Sequence, residues 1–561
     1  MRINLTGDGI PVATGTFGAK DWQSIRRLAT GWSIASSGTL PASAVSDSGA
    51  LFLEDHFFGG NTNTESRRIE SPVVNLTTST SPYVRFKYFS ANNSNQTFPL
   101  KLLASNDGGT TWFTIADVQP NFTATTVSSA SPWQNINVKV PAAYLVANAK
   151  FAFERNNTFS GAQPIFIDNF SVEEFTPTTI TSAQTGLWDA TTTWVGGVVP
   201  SADNHVVIAA THVVSINVNI ARTQNLTIDG TLNHNATSTA QILQTFGDVV
   251  ISSTGTLLGG NGTTGKFTYI GGSLNNSGTL TVNQSTTATL YFFGGTAATI
   301  TNSGTITGGI ISVIHHANTG GLTYNSPVTI RNNCFLTDGN VNPNGNLTVG
   351  VSGTAVIITR HPKARFTSRP LYPSLVAALR SVTYGGGTNG TLTFGLLRRD
   401  TIYTGFETDT IAGTQIIVGT LTINTHAHVV LSSPLLVGSA TVGGATTFTR
   451  GFLFTSPTNL LTINLLGNGS FGTQPSNFTP PTNQGSYVIG PIRFNRPASG
   501  TSQINVPFGV GTAPVGTTVN ANVLKTFNLT AGAGWSSQTI TFNMTNTPPT
   551  GTATGVNMIG I

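Results

Sequence analysis

Short apolar runs, broken at about every second position by a polar residue, fill the first third of the chain. Tyr83-Val84-Arg85-Phe86-Lys87-Tyr88-Phe89, Leu100-Lys101-Leu102-Leu103, Trp112-Phe113-Thr114-Ile115, Ile136-Asn137-Val138-Lys139-Val140, Lys150-Phe151-Ala152-Phe153 and Ile165-Phe166-Ile167-Asp168-Asn169-Phe170 are of this kind. A period of two fits strands whose side chains alternate between core and solvent, so these runs predict a β-sandwich. Asn106-Asp107-Gly108-Gly109 lies between two of them and predicts a hairpin turn, since Asp-Gly and Gly-Gly accept positive φ.

After Thr176-Pro177, which reads as a linker, the pattern changes. A Gly-Thr-(Leu/Ile) unit recurs at Gly230, Gly255, Gly278 and Gly304, at intervals of 25, 23 and 26 residues, with looser copies at Gly345, Gly390 and Gly419. A period in the twenties is one coil of a β-solenoid, whose inward residues are buried only against the coils above and below. The Gly is expected to supply the corner and the Thr-Leu to open a strand. Asn275, Asn276 and Asn302 stand beside these corners, placed to stack into hydrogen-bonded ladders.

Composition narrows the class. A chain of 561 residues exceeds what one core serves, which predicts two to four domains. Only 8% of residues are charged, against roughly 25% in an average soluble domain. With 38% hydrophobic residues, 32 Phe and 62 Gly, this is not the apolar-poor, charge-rich balance of a disordered chain. The single cysteine, Cys334, between Asn333 and Phe335, excludes an intrachain disulfide and reads as a buried, inert thiol. No run of about 18 apolar residues occurs, so membrane insertion is not expected. Met1-Arg2-Ile3-Asn4-Leu5-Thr6 has no signal-peptide apolar core. An exported chain of this kind is expected to have lost its leader or to be a piece of a longer one. The net charge of +5 is spread thinly over a long chain, which argues against a nucleic-acid partner.

Three stretches resemble known modules. Glu70-Ser71-Pro72-Val73-Val74, Ser105-Asn106-Asp107-Gly108-Gly109-Thr110-Thr111-Trp112, Trp133 and Ile167-Asp168-Asn169-Phe170-Ser171-Val172 resemble the MAM-like jelly-roll domains of Bacteroidota-type secreted surface proteins, over about 50–175. Gly186-Leu187-Trp188-Asp189, Thr193-Trp194-Val195-Gly196-Gly197 and Asp203-Asn204-His205-Val206-Val207-Ile208 resemble the start of a G8-like β-helix. Gly485-Ser486-Tyr487-Val488-Ile489-Gly490-Pro491 with Val506-Pro507-Phe508-Gly509-Val510-Gly511 resembles modules that follow solenoids in proteins of the type IX secretion route. The resemblance implies an extracellular or cell-surface place and an adhesive or carbohydrate-binding role. Pattern and resemblance together predict an all-β chain: an N-terminal jelly-roll head over 1–175, a β-solenoid (parallel β-helix) stalk over 176–430 and a C-terminal β-sandwich-like module over 431–561.

Candidate chemistry is sparse. Beyond Gly230 the only carboxylates are Asp248, Asp338, Asp400, Glu407 and Asp409, whereas glycoside hydrolysis usually needs two within about 10 Å. Asp400, Glu407 and Asp409 lie beside Arg398 and Arg399 and read as an ion-pair cluster in a loop. The chain is therefore read as a structural or adhesive protein, a filament or sheath subunit being the near variant. A carbohydrate-active β-helix enzyme and a pure glycan-binding module are the alternatives. Its partners would be glycans or other copies of itself. Arg360, Lys363 and Arg365, with Arg369 and Arg380, form the densest charge run of the solenoid, either a solvated loop or a contact for anionic glycans or an acidic partner, with Trp112 a candidate stacking residue and Tyr372 and Tyr384 added beside the run. Pairing of the first and last sandwich strands would bring Glu54 and Asp55 near Asp168, as a structural Ca²⁺ site or a capped strand end; related jelly rolls often hold calcium there. His315 and His316 should point to opposite faces of one strand, and His426 and His428 to one face, all reading as surface histidines.

Overall fold

The computed structural model describes residues 51–53, 66–90, 100–119, 133–156, 165–234, 241–259, 266–282, 288–309, 311–351, 356–361, 363–372, 380–385, 401–408, 417–438, 445–464, 487–489 and 492–495. The alternating runs form eight antiparallel strands: β1 (Leu51–Leu53), β2 (Ser66–Glu70), β3 (Pro82–Ser90), β4 (Leu100–Ser105), β5 (Phe113–Gln119), β6 (Gln134–Lys139), β7 (Lys150–Asn156) and β8 (Ile165–Glu174). They make two four-stranded sheets, ordered β1-β8-β3-β6 and β2-β7-β4-β5. Val84, Phe86, Leu102, Phe153, Phe170 and Val172 share one core between them. Phe153 meets Phe86 and Phe170 edge-on, at 4.8 and 5.9 Å between centroids, the geometry aromatic quadrupoles favour. The hairpin between β4 and β5 turns at Gly108 and Gly109, both at positive φ, with Asp107 accepting from the backbone of Thr110 and Thr111. The sequence predicted that turn.

From Thr178–Thr181 onward the chain winds as a β-solenoid whose described strands form parallel sheets of six, nine and sixteen strands. In the nine-stranded sheet Ile180, Val206, Leu226, Val249, Leu274, Ile300 and Tyr324 stand in register, one per coil. In the six-stranded sheet Val214, Leu232, Leu257, Leu280 and Ile306 do the same. The last four are the apolar members of the Gly-Thr-(Leu/Ile) units, and all are buried. The repeat read from the sequence is thus the coil repeat, its Thr facing outward and its Leu or Ile inward. Each such burial stabilises by about 1.5–3 kcal/mol.

The glycine of the unit has a sterically sharper job than supplying a bend. A Cβ at Gly255 would strike the Ile228 carbonyl, and one at Gly278 the carbonyls of Ser252 and Gly255. Neither glycine needs a positive φ; coil stacks on coil there with backbone against backbone. Beside these corners one rung of the expected Asn ladder is formed, Asn276 Nδ2 donating to Asn302 Oδ1 at 2.6 Å.

The solenoid does not stop at residue 430. Leu435–Val437, Ala445–Phe454, Leu461–Asn464, Tyr487–Ile489 and Ile492–Asn495 all pair in parallel and extend the sixteen-stranded sheet. The described part of the third region is therefore a continuation of the stacked coils; residues 496–561 lie outside the described residues.

Candidate functional site

Strands β5 and β6 each form one edge of their four-stranded sheet, and unpaired edges invite association with other chains. Here the flank of the solenoid covers both. Gln244 Nε2 donates to Asp117 O at 2.7 Å and Thr319 Oγ1 to Thr114 O at 2.6 Å, both on β5. Gln224 Nε2 donates to Asn137 O on β6 at 2.6 Å. Outward solenoid residues Ile242, Tyr269, Tyr291, Phe293 and Ala317 complete the sandwich core. At the other end of the seam, Asp203 receives Arg85 at 3.3 Å as well as the side-chain amides of Asn135 and Asn137, and Arg85 lies 4.0 Å over the Phe175 ring. The sandwich is thus seated along the solenoid's side, which the head-and-stalk expectation did not anticipate.

The seam holds the largest concentration of buried charge among the described residues. Lys101 and Asp117 are each 2% exposed, and Glu154, Arg222 and Asp338 are also buried. Arg222 donates Nε to Gln244 Oε1 at 2.9 Å and Nη1 to Gln134 Oε1 at 3.2 Å. Burial lowers its guanidinium to about 10, a nearby Tyr88 opposing. Burial pushes the Asp117 carboxyl upward, against the Lys101 charge and a hydrogen bond with Tyr291. Asp338 is raised in the same way, against Lys101 and Lys363. Removed from water, a carboxyl favours its neutral form. Above this cluster an outward ring stack runs from coil to coil: Tyr269 on Tyr291 at 4.6 Å, Tyr291 on His315 at 5.1 Å and His315 on Phe335 at 4.1 Å.

The residues singled out from the sequence fare differently. Arg360 is not on a surface: it is buried, in the inward column between Leu336 and Tyr384, and donates Nε to Ala364 O at 2.8 Å. Strand alternation turned it inside. Lys363 and Arg365 are exposed and Arg369 is half-buried, with Arg365 Nε on Asn340 Oδ1 at 3.1 Å. Tyr384 is fully buried, and Tyr372 packs on the core with its hydroxyl on Phe406 O at 2.8 Å, so neither offers a stacking face. Trp112 is half-buried and donates to Gly109 O at 2.9 Å, tucked against its own hairpin.

Strand β1 does pair with β8, Leu53 opposite Ile165. Asp168 is fully buried within β8, opposite Lys87 at a register shift between β3 and β8 and not at a strand end, one carboxyl oxygen taking the Asn169 N–H at 2.7 Å; Glu54 and Asp55 lie outside the described residues. No group of three or more His, Cys, Asp or Glu that would hold a metal occurs among the described residues. His315 and His316 do point to opposite faces, but neither is a surface histidine. His316 is fully buried inside the solenoid with Tyr324 Oη 3.3 Å from its Nε2, and His315 is clamped between rings. Burial lowers each to about 3. His428 is half-buried and edge-on to Phe454 at 5.3 Å. Cys334 is buried and its thiol is pushed upward by burial, which fits an inert role.

Sequence reasoning missed the seam residues Lys101, Asp117, Gln224, Gln244 and Arg222. The signal was present for the first two: each is a charge inside an apolar run, Leu100-Lys101-Leu102 and Ala116-Asp117-Val118, on a face that the alternation rule assigned to solvent. No protein-family model matches the chain, and no curated protein matches it.

Proposed function

We propose that the chain is an extracellular structural and adhesive surface protein, a stiff body that contacts glycans or neighbouring copies through exposed side chains of its coils. The observation that carries this reading is the seam. Gln224, Gln244 and Thr319 spend their side chains on closing sandwich edges, so sandwich and coils are joined by a buried polar interface instead of a hinge. Asp117 and Asp338, the buried carboxylates with raised proton affinity, lie within that interface, where a polysaccharide has no access. Asp248 takes the Ser273 N–H at 2.7 Å and serves a turn. These placements favour a structural role over a carbohydrate-active enzyme.

Lys363, Arg365 and Arg369 form the contact surface in this reading, suited to carboxylate or sulfate groups. Binding of the purified protein to sulfated and to neutral polysaccharides tests it. Retention on the sulfated polymer should fall with added salt and drop in a Lys363→Ala, Arg365→Ala double variant. Equal retention of variant and parent would remove the contact surface, and cleavage of a polysaccharide would replace the whole reading with an enzymatic one.

A further inference from the structure

We propose that Lys101 and Asp117 become joined by an isopeptide bond, a covalent staple between neighbouring strands of the sandwich, with Glu154 as the proton acceptor that starts the reaction. Register sets the row: Lys101 on β4 is opposite Asp117 on β5 and, on its other side, opposite Glu154 on β7. Directly opposed residues share a face and hold their Cβ atoms about 4.5–5.5 Å apart, a gap that a lysine side chain spans. The row is dry, with Lys101 and Asp117 at 2% and Glu154 at 4% exposure. Asp117 Oδ1 has no hydrogen-bond partner among the described residues although its atom is buried, an unusual state for a carboxyl oxygen. The Tyr291 hydroxyl engages the same carboxyl, and burial favours its protonated form.

The chemistry needs no outside reagent. Glu154 takes a proton from the Lys101 ammonium, and the neutral Nζ attacks Cγ of the protonated Asp117 carboxyl. Tyr291 stabilises the tetrahedral oxygen by hydrogen bonding. The C–O bond to the carboxyl hydroxyl breaks as Glu154 gives its proton to that hydroxyl, which leaves as water, and Glu154 then takes the second proton from the nitrogen to leave a neutral amide. An ammonium and a protonated carboxyl are consumed; one amide and one water are formed and one proton stays on Glu154, with no change in oxidation state. The buried ammonium of Lys101 and the buried carboxylate of Glu154 both become neutral, which removes the standing cost of holding two charges away from water.

The test is a digest of the full-length protein after unfolding in urea. Chymotrypsin cleaves at Trp112 and Phe113, between the two sites, so a staple leaves the peptides carrying Lys101 and Asp117 joined and lighter than their sum by one water. Separate peptides, with Lys101 open to trypsin, overturn the proposal, and this parent digest decides it even where a variant fails to fold. Lys101→Arg should give no joined peptide. Asp117→Asn should give the same joined product, now by loss of ammonia. Glu154→Gln should slow joining by about a hundredfold, the usual scale of proton-transfer assistance; joining at the parent rate would remove Glu154 from the mechanism.

Discussion

Gln244 faces two ways: its Nε2 donates to the backbone oxygen of Asp117 at 2.7 Å and its Oε1 accepts from Arg222 Nε at 2.9 Å. One side chain therefore closes a sandwich edge and holds a buried guanidinium. Gln244→Leu keeps the volume and strips both bonds, leaving a carbonyl and a charged donor unpaired in a dry place. Each such orphan costs about 1–3 kcal/mol, so unfolding in denaturant should show a loss of about 3 kcal/mol. Thr256→Ser, on the outward face of a coil, should stay within about 0.5 kcal/mol. Equal effects would mean that the seam carries no special share of stability.

The same relationship predicts that the sandwich does not survive alone. A chain of residues 51–175 exposes the carbonyls of Thr114, Asp117 and Asn137, which the solenoid side chains now satisfy. It also uncovers the side of its core that Tyr269, Tyr291 and Phe293 close. Open edges with apolar surface beside them associate. Size-exclusion chromatography should show aggregates or large oligomers for the isolated sandwich; a folded monomer would contradict the account of the seam.

Both periods were legible in the sequence because each is a local consequence of burial. Period two follows from strand geometry, and Leu232, Leu257, Leu280 and Ile306 recur because a coil buries one residue at that place each time round. The seam was not legible. Whether Lys101 faces water or another layer depends on the solenoid flank, which brings Asp338 within reach of its charge from more than two hundred positions away in the chain, and no local pattern encodes that. Arg360 misled for a related reason: neighbours His361, Lys363 and Arg365 made the stretch read as a solvated loop, whereas strand alternation sends Arg360 alone inward. The candidate calcium ligands depend on Glu54 and Asp55, outside the described residues.

Gly278→Ala tests the coil repeat. The added Cβ would meet the backbone oxygens of Ser252 and Gly255, which cannot move without parting two coils. The substitution relieves no strained φ, so nothing offsets the clash, and a loss of about 2 kcal/mol or more is expected, in the range of overpacked cores. Leu280→Ala, two residues on, should cost about 2–5 kcal/mol by leaving a cavity. A Gly278→Ala chain as stable as its parent would show that the coils stack less closely than described.

His316 should make the solenoid sensitive to acid. Unfolded, its imidazole takes a proton near pH 6.5; folded, burial first and the neighbouring His315 second hold it down to about 3. Between those values the unfolded chain carries the extra proton, so stability rises with pH and falls as the solution is acidified from about 6.5 towards 3. One such group contributes at most about 1.4 kcal/mol per pH unit. Asp338, and Asp117 wherever it is unjoined, act the other way, because carboxyls raised by burial bind protons more readily when folded. The comparison must therefore be made against a variant with those groups unchanged. His316→Phe, which continues the ring of Phe292 in the preceding coil, serves. Denaturant unfolding at pH 7, 6 and 5 should show the parent losing stability more steeply than the variant, and parallel slopes would mean that His316 takes its proton without unfolding.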